Sequence, residues 1–396
     1  MNNRQLFLQH VGQTSEAPLC LNIVKASGSK MWDANGKEYI DLIAGISVCN
    51  IGHRHAKVVE AIKKQADEYL HIMVYGELVE NPQVEYAKLL TDHLPLNLNS
   101  VFYTASGSEA TEGAMKLAKR YTGRTQMVSF KNSYHGSTQG ALSVMGSEYW
   151  QQAYRPLLPG ITQINYNNIK ELDVITEETA CVIAETIQAE MGVNVPTIEW
   201  LTALRKRCDE TGALLILDEI QCGFGRNGTL WAFEQFGIVP DILLLGKALG
   251  GGMPLGAFVS DKKIMDSLTY NPVLGHINTF GGHPVSCAAG LAALNVLLNE
   301  HIIEHVKQKE QLFLTLLHHS KINKISSRGL MIALHFDSYE TNKKIIDALI
   351  EKGIFTDWFL FAAHALRIAP PLNISDAEIE QACKVIVEVI EEMEWN

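Results

Sequence analysis

In "LLILDEIQCGFGRNG" (214–228) an apolar run leads straight into two carboxylates, Asp218 and Glu219; in "LLLGKALGGGMPLGA" (243–257) another leads to Lys247. A run of Leu and Ile bounded by Gly212 and Gly223 suits a central parallel strand covered on both faces. Ligands of open α/β sheets sit in the crevice outside the carboxyl ends of such strands. Two strands of this kind would bring a carboxylate and an amine into one crevice. Successive side chains of a strand point to opposite faces, so the two acids do not share one; with Asp218 as the acid in the crevice, Glu219 is structural. Taken singly, the acids also read as solvated loop residues and Lys247 as a surface lysine.

Two further stretches bear on the same crevice. In "TASGSEATEGAMKLAKRYTG" (104–123) Ser106, Gly107 and Ser108 precede a helix whose first turn carries Glu109 and Glu112. Free backbone N–H groups and hydroxyls at the positive end of a helix suit a phosphate; plain N-capping by serine is the other reading. The stretch carries neither the P-loop nor the GxGxxG signature. In "SFKNSYHGSTQGALS" (129–143) Tyr134 and His135 follow a strand. They form either a turn with a buried aromatic or a ring on which a flat cofactor stacks. Phosphate cup, carboxylate, lysine and stacking ring together match pyridoxal phosphate (PLP), whose aldehyde needs a lysine and whose pyridine nitrogen needs an acid.

These residues need a scaffold, and the chain between about 99 and 260 supplies its signature. Short apolar runs ("SVFYTA", "QMVSF", "CVIAE", "LLILDE", "DILLLG", "LGAFVS") alternate with helical stretches, which predicts an α/β domain with a mainly parallel sheet. "KMWDANGKEYIDLI" (30–43) turns at Asn35-Gly36 as a hairpin. Residues 55–70 place Val58, Val59, Ile62, Ala66 and Leu70 on one helical face. Residues 283–319 read as one long or two consecutive helices. Beyond about 320 follow a strand ("GLMIALHF"), a helix near 339–352, a strand ("ALRIA") and a helix from Asp376. The expected division is a large cofactor-binding domain over 51–300 and a smaller α+β domain built from 1–50 and 301–396.

Bulk composition narrows the class. The 396 residues are 47% hydrophobic and 19% charged, with a net charge of −11 and no block of Lys or Arg, which disfavours nucleic acid as a partner. No apolar stretch approaches the roughly 18–20 residues that span a bilayer, and the first residues lack a secretory layout. Seven scattered cysteines without a CxxC pair suggest neither a disulfide framework nor a metal site. The expectation is a soluble cytoplasmic protein.

Eight segments in order resemble the class III (ornithine/acetylornithine/4-aminobutyrate type) aminotransferases of the PLP-dependent fold type I group. They are "WDANGKEYIDLIAGISVCNIGH", "SGSEATEGAMKLAKR", "YHGST", "ETIQAEMGV", "DEIQCGFGRNG", "GKALGGGMPLGA", "TFGGHP" and "LRIAPPLN". The resemblance covers about residues 27–376. It implies that Lys247 binds the cofactor covalently and then moves a proton between the substrate carbon and the cofactor. It further implies that Asp218 pairs with the pyridine nitrogen, Gln221 with the phenolic oxygen, and Ile220 and Tyr134 with the two ring faces. The Ser106–Gly107–Ser108 turn would hold the phosphate, with His135 and Glu185 beside the cofactor. Thr279 resembles the threonine that reaches the phosphate of a neighbouring subunit, which implies a homodimer with shared sites.

For substrates, Arg367 resembles the arginine that grips a 2-oxo-acid carboxylate, and Glu190 the acid that neutralises it when an uncharged end occupies the site. Tyr75 reads either as lining the substrate channel or as a core residue. One departure stands out: where acetylornithine and ornithine enzymes have "HGRT", this chain has Ser137, and a hydroxyl is no substitute for a charged fork. Ile46 stands where ornithine enzymes place a tyrosine. The expected activity is transfer of an amino group from an ω-amino compound to 2-oxoglutarate or pyruvate by a ping-pong route. Both acetylornithine and broader ω-amine transamination stay open. An aminomutase, racemase or decarboxylase on the same fold, and a non-enzymatic nucleotide-binding or scaffold protein, are the rivals.

Overall fold

The computed structural model describes residues 2–393. Its centre is a seven-stranded sheet. The strands are β1 (Ser100–Thr104), β2 (Gln126–Phe130), β3 (Ile161–Ile164), β4 (Thr179–Glu185), β5 (Leu214–Asp218), β6 (Ile242–Leu245) and β7 (Gly256–Ser260), in the order β1-β7-β6-β5-β4-β2-β3. All run parallel except β7, which lies antiparallel between β1 and β6. All six expected strands of this sheet form. The edge strand β3 escaped the sequence reading: "ITQI" is four residues long and only half apolar.

The two-residue period sorts β5 into two cores. Leu214 and Ile216 pack with Ala110, Ala114 and Leu117 of the Gly107–Thr122 helix; Leu215 and Leu217 face the larger core that holds Trp200, Leu204 and Phe236. The same alternation carries past the strand end and sends Asp218 and Glu219 opposite ways. Glu219 is fully buried and accepts hydrogen bonds from Ala232 N (2.7 Å), Phe233 N (2.7 Å) and Thr186 Oγ1 (3.0 Å). These bonds anchor the turn after β5 in the core, the structural part expected of it.

The Asn35-Gly36 hairpin forms between Lys30–Asp33 and Glu38–Asp41, and the amphipathic helix spans Ala56–Glu68. The first strands join Ile354–Phe355, which pairs in parallel with Ile40 and Asp41, so chain ends distant in sequence share one four-stranded sheet. A second small sheet holds Lys324–Ser327, Ile332–His335, Ala362–Ile368 and Trp358–Phe359. The 283–319 stretch resolves into two helices, Pro284–Asn299 and one ending at Leu316, bent by 57° around His301, whose φ is +55°. Among the described residues no single helix is long and apolar enough to cross a membrane, no group of three or more side chains could hold a metal, and all seven cysteines are free.

Candidate active site

Five parallel strands deliver their carboxyl ends to one cavity of roughly 470 Å³, lined among others by Ser108, Tyr134, Asp218, Ile220, Gln221 and Lys247. Asp218 closes β5 and Glu185 closes β4; Lys247 stands two residues beyond β6, with a φ of +49° that is uncommon for a side-chain-bearing residue. The loop after β2 supplies Tyr134, His135 and Ser137, and the turn after β1 supplies Gly107 and Ser108.

Asp218 is held from two sides: Oδ1 accepts from Ile220 N at 2.9 Å and Oδ2 pairs with His135 Nδ1 at 2.7 Å. Both side chains are buried, so the carboxylate keeps a fixed direction. Lys247 Nζ donates to Gln221 Oε1 at 2.7 Å. Burial lowers the Lys247 pKa to about 8, with Arg367 adding to that effect and Glu190 and Asp218 opposing it. Glu185 accepts from Tyr134 N (2.9 Å) and Ala189 N (3.0 Å); burial, reinforced by Asp218, lifts its carboxyl well above the ordinary range.

At the mouth of the Gly107–Thr122 helix, Gly107 and Ser108 line the cavity where first-turn N–H groups lack intrahelical partners. A Cβ at Gly107 would lie 2.9 Å from Ile220, and one at Gly136 2.3 Å from Ser108 Oγ, so glycine keeps this wall open and close-fitting. Ser106 does something else. Its hydroxyl accepts from Glu109 N at 3.2 Å as the helix cap, and it does not line the cavity. Glu112, expected in the first turn beside Glu109, lies in the second. Its Oε1 accepts from Thr138 Oγ1 (2.7 Å), Gly140 N (2.7 Å) and Ala141 N (3.2 Å), which pins the Ser137-bearing loop to the helix.

Arg367 and Glu190, far apart in sequence, meet as a buried two-point pair at 2.8 and 2.9 Å. Burial alone would raise Glu190's pKa; the guanidinium more than offsets it and holds the carboxyl at about 2. On Arg367, burial pulls the pKa down, and the carboxylates of Glu190 and Asp357 more than offset it and bring it above the ordinary range. Asp357, which no motif singles out, accepts from Arg367 Nε at 2.7 Å. Three other named residues lie outside the Lys247 cavity of this chain. Thr279 is exposed, Ile46 is 37% exposed, and Tyr75 lines a separate cavity of roughly 160 Å³ with Asn278 and Gly281.

An amine, a fixed carboxylate, an amide beside the amine and a helix mouth for an anion make a donor set that fits PLP. The comparisons agree. The family model described as aminotransferase class-III matches residues 11–390. The chain belongs to the class III aminotransferases. It is a PLP-dependent transaminase with the fold type I architecture. An acetylornithine aminotransferase of Caldanaerobacter subterraneus is 37% identical over 386 residues, covering 94% of this chain and 95% of that protein. The ornithine aminotransferase of Toxoplasma gondii, with partial occupancy of PLP at its active site, aligns with a TM-score of 0.90 at 30% identity. The alignment covers 97% of this chain and 92% of that one. A thermostable (S)-enantioselective omega-transaminase from Thermomicrobium roseum aligns with a TM-score of 0.90 at 28% identity, covering 98% and 97%.

The depressed lysine pKa has a measurable consequence. Only a neutral amine attacks an aldehyde, and the amine at position 247 becomes neutral as pH rises through about 8. Attachment of PLP to the cofactor-free transaminase is therefore expected to accelerate between pH 7 and 9 and then level off. Stopped-flow absorbance checks this, and a rate that keeps rising to the ordinary lysine range without levelling off would contradict a perturbed lysine.

Proposed function

We propose that this transaminase carries an amino group from an ω-amino compound to a 2-oxo acid in two half-reactions, donor first and acceptor second. Bound PLP supplies an aldehyde that takes the amino group and a protonated ring that withdraws electrons. Lys247 Nζ, partly neutral near pH 8, takes the proton from the carbon bearing the nitrogen and returns it on the cofactor side. Asp218, kept in direction by His135 and Ile220 N, holds negative charge at the ring nitrogen. Gln221 would meet the phenolic oxygen, Tyr134 and Ile220 would hold the ring, and Gly107 and Ser108 would bind the phosphate, while Glu185 holds the Tyr134 loop in register. Thr279 reaches the site of a second copy, in a homodimer. Residues 51–300 form the cofactor-binding body, and the two chain ends form the smaller domain.

The observation that carries the two-substrate reading is the Glu190–Arg367 pair. Closed, it presents no net charge to an uncharged donor end; with Glu190 turned away, the guanidinium offers a two-point fork to a carboxylate. Among the described residues, no lysine or arginine besides Lys247 lines the cavity itself; Arg367 lies outside that lining but near enough to act on the Lys247 charge. A donor with a carboxylate at its far end therefore finds no cation at Ser137, which weighs for a broad ω-amine donor despite the acetylornithine aminotransferases among its relatives.

The test is a donor and acceptor panel on the two half-reactions followed separately by absorbance. An amine alone is expected to convert the bound cofactor, and a 2-oxo acid alone to restore it. Turnover with no 2-oxo acid would favour an aminomutase, racemase or decarboxylase instead. In the same panel, Ser137→Arg is expected to improve kcat/KM for partners with a distal carboxylate by about tenfold to a hundredfold, the worth of one charge-assisted hydrogen bond. Unchanged preference would show that selectivity lies elsewhere.

A further inference from the structure

Five consecutive residues enclose the Glu190–Arg367 pair. Asp357 Oδ1 accepts from Arg367 Nε at 2.7 Å, and Trp358 O accepts from Nη2 at 2.9 Å. The Phe359 ring lies 4.4 Å from the guanidinium carbon. Leu360 N donates to Glu190 Oε2 at 3.1 Å, and Phe361 N to the Glu190 carbonyl at 3.0 Å. The segment turns from Trp358–Phe359 into the Ala362–Ile368 strand that bears Arg367, so cage and arginine belong to one hairpin.

A guanidinium has five N–H donors in a fixed plane. Here Asp357 takes Nε, Trp358 takes one N–H of Nη2, and Glu190 takes one each from Nη1 and Nη2. Only the Glu190 edge is exchangeable in the proposed cycle. When Glu190 turns away, a guanidinium without other anchors would be a buried cation on a long flexible chain, free to follow it. Asp357 prevents that: it balances the charge and fixes the plane at the edge the substrate does not use.

We propose that Asp357 is a positioning residue for acceptor recognition. It holds Arg367 in place by Nε while the Glu190 carboxylate and the acceptor carboxylate exchange on the Nη1 and Nη2 edge. The inference rests on the two-substrate reading above and adds to it a residue that no motif marks. Its signature is asymmetry, because an ω-amine donor leaves Glu190 on Arg367 and makes no demand on the exchange.

The test compares holoenzyme carrying Asp357→Ala and Asp357→Asn with the parent enzyme, each half-reaction being read by absorbance. Asp357→Ala is expected to raise the concentration of 2-oxo acid needed for half-maximal rate by about tenfold to a hundredfold, as one charge-assisted hydrogen bond would. The ω-amine half-reaction should change by less than about threefold on the same scale. Asp357→Asn keeps an oxygen acceptor for Nε without the charge and should recover part of the lost acceptor binding. Equal losses in both half-reactions, or an acceptor dependence unchanged by Asp357→Ala, would overturn the proposal. A parent enzyme that no amine converts would overturn the two-substrate reading first, and this inference with it.

Discussion

Lys247→Ala is expected to lower the rate of amino transfer by at least about 10⁴-fold, the upper range for a positioned proton-transfer group. In the proposed mechanism two functions vanish together: the amine that condenses with the cofactor and the base that moves the proton at the substrate carbon. Among the described residues, Gln221 is the side chain hydrogen-bonded to this amine, and no other lysine or arginine lines the cavity to replace it. Single-turnover absorbance measures the loss. Added methylamine should restore part of the rate in proportion to its concentration, because a small free base can occupy the space the side chain leaves. A variant retaining more than about a tenth of the activity would remove Lys247 from the proton-transfer role.

Asp218→Asn separates charge from shape. The amide still offers an oxygen to Ile220 N, and the cofactor should still attach to Lys247, but no negative charge remains opposite the ring nitrogen. Removing one partner of a buried charged pair costs about 3–5 kcal/mol, which corresponds to a loss of roughly two to four orders of magnitude in rate. The loss should fall on the carbon-to-nitrogen proton step. A donor deuterated at the amine-bearing carbon should therefore show a larger isotope effect in the variant than in the parent enzyme. A loss confined to cofactor affinity, with an unchanged isotope effect, would mean that Asp218 only helps to bind the ring.

The parts of this site that sit at strand ends were legible in the chain because burial writes itself into sequence. The Leu214–Leu217 run is apolar at every position because both its faces are covered, so the residue ending it had to lie at the sheet's edge. The opposite destinations of Asp218 and Glu219 followed from the strand period alone. Other features carry no local signal. Arg367 and Glu190 meet because the small sheet docks beside the large one; no periodicity or spacing pairs them, and only the family resemblance named them together. Asp357 lies in a stretch whose two strands are two and seven residues long, and the shorter gives no periodicity to read. Ser106 shows the converse. Three serine and glycine residues at a helix start look alike, yet the cap geometry takes the first and leaves the other two facing the cavity.

The amine in the crevice and the acid at the end of the neighbouring strand form the centre of this account. Borohydride treatment of the PLP-loaded enzyme, followed by proteolysis and mass spectrometry, tests it most directly. The account predicts one reduced pyridoxyl adduct per chain, on the peptide containing Lys247, and none after the enzyme has been exhausted with an amine donor. An adduct on another lysine, or none in the donor-free enzyme, would contradict it.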